Sequence, residues 1–110
     1  MVCCWLGLAV SCRSSLGAGI ESFSLSRYPE AIAELRQGER EFREGNVEER
    51  ARYALYRGLT HLALGDARAA ESWLRFARVH VSRNAQLLKP HERGQLSAAW
   101  RSLGYMQGDG

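Results

Sequence analysis

From residue 28 onward, apolar positions recur at spacings of three and four, and no segment alternates with period two. The pattern predicts four helices. The first runs over Pro29–Glu44, with Ala31, Ile32, Leu35, Gly38 and Phe42 along one face. Pro29 suits its first turn, where the missing N–H would be unpaired anyway, and Gly45-Asn46 offers a left-handed stop. A second helix over Val47–Leu64 carries Tyr53, Leu55, Tyr56, Leu59 and Leu62. Gly58 at its middle costs ~1 kcal/mol against Ala, which a close helix–helix contact would offset. Gly65 ends this helix, and Asp66, a good N-cap, opens a third that runs to Ser82. Its stripe is Ala70, Trp73, Leu74, Ala77 and Val81. After a loop over 83–89, Pro90 opens a fourth helix to Met106, lined by Leu96, Ala99, Trp100, Leu103 and Met106. The expected fold is all-α, built of antiparallel helical hairpins over residues 28–108.

The residues before this domain read differently. Residues 13–27 are rich in Ser and Gly without a clear period, and we expect a flexible linker with at most a weak turn near Ile20–Leu25. Residues 1–12 are apolar throughout, too short to span a membrane, and the change of composition after Cys12 has the profile of a secretory apolar region followed by a tether. Its end, Leu8-Ala9-Val10-Ser11-Cys12, resembles a bacterial lipobox. That resemblance implies cleavage after the small Ser11 and acylation of the Cys12 thiol. Acyl chains anchor a protein by burying methylenes at ~0.8 kcal/mol each. An ordinary apolar N-terminus packed on the helices is the alternative.

The second and third helices resemble a tetratricopeptide repeat (TPR), a helix–turn–helix of about 34 residues. Gly58 and Ala70 are the small contact residues, Gly65-Asp66 is the turn, and Ala77 closes the pair. Trp100, Leu103 and Gly104 follow the family's opening W-x-x-L-G phrase, and Tyr28-Pro29-Glu30-Ala31-Ile32 looks like the start of a repeat's second helix. Trp73 joins these as a packing residue. Arg57 and His61 stand where the family has larger apolar residues. The resemblance implies a stacked α-solenoid that binds a protein or peptide in a groove lined by the first helices, where Arg52, Tyr56 and His61 would face the ligand. Outward faces carrying Trp100 and Met106 would favour self-association or docking.

Composition narrows the function. The 110 residues hold one small core. Net charge is +3, and Lys89 is the single lysine among fifteen basic residues. Residues 30–50 carry seven acids against four arginines, a net of −3, whereas residues 51–110 carry nine bases against four acids, a net of +5. All three cysteines precede residue 13, so the body has no disulfide or Cys-based metal site. His61, His80 and His91 lie in different predicted elements with no metal-ligand spacing, and no nucleophile elbow or phosphate loop occurs. No cofactor, metal or small-molecule substrate is expected, and an enzyme is the least supported class. The sequence favours a non-enzymatic interaction scaffold at a bacterial cell envelope, on its inner or outer membrane, with a protein or peptide partner. A cytoplasmic adaptor without a lipid anchor is the first alternative. A nucleic-acid-binding module using Arg68, Arg75, Arg78 and Arg83 is the second.

Overall fold

A computed structural model describes residues 14–104. It contains six α-helices, one 3-10 turn and, among the described residues, no strand. The fold is all-α. The helices are α1 (Ser15–Ser24), α2 (Tyr28–Gln37), α3 (Glu39–Glu44), α4 (Val47–Ala63), α5 (Ala67–Arg83) and α6 (Pro90–Ser102), with the 3-10 turn at Ala85–Leu87.

Three boundaries differ from the sequence reading. α6 ends at Ser102, short of the expected Met106, because Leu103 caps it and Gly104 turns to positive φ. Most of the stretch expected as linker is α1. The Ser14 hydroxyl caps it by accepting from the Gly17 N–H at 3.0 Å, and Leu16, Gly19, Ile20 and Phe23 form its inward line. That line is a helical repeat in which a glycine holds one apolar position, so a count of large side chains misses it. The expected first helix is divided at Gly38 into α2 and α3. The Gly38 N–H bonds to the Leu35 carbonyl in a tighter turn. A Cβ built at Gly38 would lie 2.7 Å from the Ser15 Cβ, so α1 approaches the backbone where the helix breaks.

Within each hairpin a glycine makes the closest contact. A Cβ at Gly19 would lie 2.6 Å from Leu35 Cγ, and one at Gly58 would lie 2.6 Å from Leu74 Cγ. In both pairs the leucine follows the glycine by sixteen residues. The turns repeat as well. Leu25, Leu64 and Leu103 cap α1, α4 and α6, and each is followed by a residue with positive φ: Ser26 at 60°, Gly65 at 85° and Gly104 at 85°. These residues are spaced 39 apart. Ala31 and Ala70, separated by the same interval, are both fully buried. The chain is therefore two helical hairpins, α1/α2 and α4/α5, followed by a helix that ends as the first helix of each hairpin ends.

α4 is the centre of the molecule and touches α1, α2, α3, α5 and α6. A capping box starts it: Asn46 Oδ1 accepts from the Glu49 N–H at 2.8 Å, and Glu49 Oε1 accepts from the Asn46 N–H at 2.9 Å. From Tyr53 to His61 every residue is buried. On one side of α4, Phe42, Tyr53, Trp73 and Phe76 pack ring against ring at centroid distances of 4.9–5.5 Å. α6 is less enclosed. Gly94, Ser97, Ala98 and Arg101 face solvent along it.

Two glycine substitutions should part in sign. Gly58→Ala gains ~1 kcal/mol of helix propensity but drives a methyl into Leu74, and overpacking of this kind costs roughly 1–3 kcal/mol. Its midpoint in urea should fall. Gly94 has open space around it, so Gly94→Ala should raise the midpoint by about 0.5–1 kcal/mol of stability.

Candidate functional site

A helix buried on all sides has no solvent to satisfy its polar side chains, so α4 must find partners inside. Thr60 does so locally by donating to the Tyr56 carbonyl at 2.7 Å. The others build two ionic networks.

The first centres on Glu92, in the first turn of α6 and 0% exposed. Its Oε1 accepts from the Lys89 N–H at 3.0 Å. Its Oε2 accepts from Arg52 Nε at 3.2 Å, Arg52 Nη2 at 2.9 Å and the Tyr56 hydroxyl at 2.8 Å. Burial pushes the carboxyl upward, but the bonds from Arg52, the Lys89 backbone and Tyr56 outweigh it and hold Glu92 below the ordinary carboxylate range. Tyr56 moves the other way. Burial first, and then the bond to Glu92, push its hydroxyl up to about 12. Desolvation works against the Arg52 charge, yet Glu92 raises it above its usual value.

The second centres on Arg57, 7% exposed. Its Nη1 donates to Glu39 Oε2 at 2.8 Å and to the Tyr53 hydroxyl at 2.9 Å, and Tyr53 donates in turn to the Leu35 carbonyl. Arg57 Nε donates to His61 Nε2 at 3.3 Å, and the guanidinium carbon lies 4.8 Å from the Trp73 ring centroid. Because His61 accepts at Nε2, its proton belongs on Nδ1, which faces Asp66 Oδ2 at 3.9 Å. Burial and then the Arg57 charge depress the His61 pKa, while the bond to Arg57 holds Glu39 below its ordinary value.

These networks place the residues expected to line a groove. Arg52 and Tyr56 come together on Glu92, and His61 sits in the separate Arg57 network near the other end of α4. Tyr56 and His61 are buried, at 4% and 5% exposure, and are turned inward. Arg52 keeps about a quarter of its side chain in solvent. The packing residues Gly58, Gly65, Ala70, Trp73, Ala77 and Gly104 lie at hairpin contacts, turns or the core, as described. Trp100 is 6% exposed, beneath the Arg78 guanidinium at 4.5 Å, so it offers no outward face. Met106 and Cys12 lie outside the described residues. The sequence reading missed Glu92 because its partners are 36 and 40 residues away. The second network left a trace: Arg57 and His61, the two departures from the family pattern, are each other's partners one turn apart.

Two clefts open on the surface. One, of about 270 Å³, is bordered by Arg52, Gln86, Leu87, Leu88, Lys89 and Arg93, with Glu48 its one acidic wall. Arg93 is held there by donating to the Ala85 and Leu88 carbonyls at 2.8 and 2.7 Å. The other, of about 290 Å³, lies among Leu16, Glu41, Phe42, Glu44, Glu49 and Tyr53. Among the described residues, no group of three or more His, Cys, Asp or Glu could hold a metal ion, and no helix is long and apolar enough to cross a membrane.

No family model matches the chain, and neither a curated protein nor a solved structure does.

The His61 network has a pH signature. The depressed folded pKa means the unfolded chain takes up the proton first. Stability should therefore be full above the unfolded value of about 6.5 and decline as pH falls below it, towards the folded pKa. Urea midpoints measured between neutral and mildly acidic pH should show this slope, and His61→Gln, which keeps an acceptor without the titration, should flatten it.

Proposed function

We propose that the chain is a non-enzymatic helical-repeat scaffold of tetratricopeptide type, binding a protein or peptide and tethered at a bacterial cell envelope by its N-terminal segment. The observation that carries the scaffold reading is the repeated hairpin, whose 39-residue interval is five residues longer than the ~34 of the tetratricopeptide family. Gly19 on Leu35 and Gly58 on Leu74 recur with the left-handed turn residues at a 39-residue interval. Each hairpin leaves an apolar face that only a neighbour covers, and such stacking produces extended binding surfaces.

With Tyr56 and His61 inside, the binding surface is the cleft where Arg52 meets solvent beside Gln86, Lys89 and Arg93. Its cations outnumber its one acid, and Leu87 and Leu88 form an apolar floor. An acidic, extended peptide suits that chemistry. The cleft is slightly smaller than the ~300–1,000 Å³ of small-molecule sites, which favours side chains of a longer ligand. The envelope reading rests on the lipobox-like Leu8–Cys12, and a cytoplasmic adaptor is the alternative should that segment stay unprocessed.

Two experiments test these halves separately. Panning a random-peptide display library on the protein should recover acidic peptides whose affinity drops at least tenfold, or ~1.4 kcal/mol, in Lys89→Glu. Recovery of no peptide, or binding indifferent to Lys89, would overturn the proposed surface. Expression in a Gram-negative host should give a membrane-bound product that lacks residues 1–11 and carries acyl chains, and Cys12→Ala should abolish both. An unmodified, full-length soluble protein would sink the anchor.

A further inference from the structure

Two exposed regions of this chain differ in the sign of their net charge. α5 presents Arg68, Arg75, Arg78 and Arg83 to solvent, with the 45% exposed Val79 among them, and Glu71 is its one acid. The helix thus carries a net of +3. Glu30 on α2, Glu41 and Glu44 on α3, and Glu48 and Glu49 in the first turn of α4 are all exposed, alongside the exposed Arg36, Arg40 and Arg43, within a stretch whose net charge is −3.

The two sets do not meet inside the chain. Among the described residues the ion pairs join Arg52 to Glu92, Arg57 to Glu39, His61 to Asp66 and Arg75 to Glu71. None joins an arginine of α5 to an acid of residues 30–50. The acidic surface also has shape: its 290 Å³ cleft has Leu16 and Phe42 as apolar walls and Glu41, Glu44 and Glu49 at its edge. An arginine fits such a place better than a lysine, because its flat guanidinium both stacks on a ring and forks onto carboxylates.

We propose that the basic face of α5 in one copy docks on this acidic corner of a second copy, head to tail, with an arginine entering the cleft. The two surfaces are different patches of one molecule, so the contact is heterologous: the copy that gives its basic face keeps its acidic corner free, and its partner keeps its basic face. Complementary charge sets the pairing and its orientation. Val79 and the apolar cleft walls supply the part that water must leave.

The test is sedimentation equilibrium of the whole chain at rising concentration. At low salt the weight-average mass should climb above the 12.3 kDa of one chain. In about 1 M salt, where the screening length is only ~3 Å, it should return to that value. Arg68→Glu/Arg75→Glu and Glu41→Lys/Glu44→Lys should each remain at monomer mass at low salt. Mixing the two variants should restore association, which also shows that both are folded. A wild-type mass of one chain at every concentration overturns the proposal. So does association that survives high salt or ignores both charge reversals, since apolar contacts would then be the cause. A monomer that is nonetheless held on a heparin column through α5 assigns that face to a polyanion and equally overturns it.

Discussion

The burial of α4 on every side is the constraint around which this structure is arranged. A central helix in so short a chain would be simplest as a run of aliphatic residues. This one carries Arg57, Thr60 and His61 into the interior, where an unpaired charge is far more costly than an unpaired hydroxyl. Thr60 and His61 find partners within α4, whereas Arg52, Tyr53, Tyr56 and Arg57 reach groups on neighbouring elements, and that matching fixes where the neighbours sit. Glu92 holds the start of α6 against Arg52 and Tyr56. Arg57 draws in Glu39 from α3, and Tyr53 reaches the end of α2 through the Leu35 carbonyl. Arg52 and Glu39 stay partly in solvent, and losing either strands the buried charge of Glu92 or Arg57.

Glycine does the complementary work. Where the ionic networks tie α4 to its non-sequential neighbours, Gly19 and Gly58 let the two helices of each hairpin approach until a leucine fills the space that a side chain would take. The same sixteen-residue offset in both hairpins gives the same geometry twice. The left-handed residue after each capping leucine turns the chain back at the same point. Ser26 shows that the conformation is required by the turn and not by glycine, because a side chain is accepted there despite its positive φ.

Much of this was legible in the sequence. The helices α4, α5 and α6, the Asp66 cap and a close helix contact at Gly58 follow from the 3.6-residue period and from turn chemistry, both local properties, whereas Gly45, at φ −80°, is not the left-handed stop expected and Asn46 instead caps α4. α1 was illegible as a helix because its contact residue is a glycine and its cap is one serine among several. The break at Gly38 was illegible because its cause, the approach of Ser15, is tertiary. The groove assignment of Tyr56 and His61 failed for a related reason. A repeat pattern tells which helix lines a groove, but not whether neighbours have covered it, and both residues are held inward by partners outside the pattern.

The inward turn of those residues bears on where any interaction takes place. Side chains turned into the core lie out of a ligand's reach, so recognition falls to what the networks leave outside. That remainder is sorted by charge. Acids outnumber the exposed Arg36, Arg40 and Arg43 on α2, α3 and the start of α4, and arginines predominate along the outer face of α5 and around the Arg52 cleft. A molecule so divided interacts first by orientation, through fields that salt suppresses, and only then by the modest apolar area at Leu87, Leu88, Phe42 and Val79.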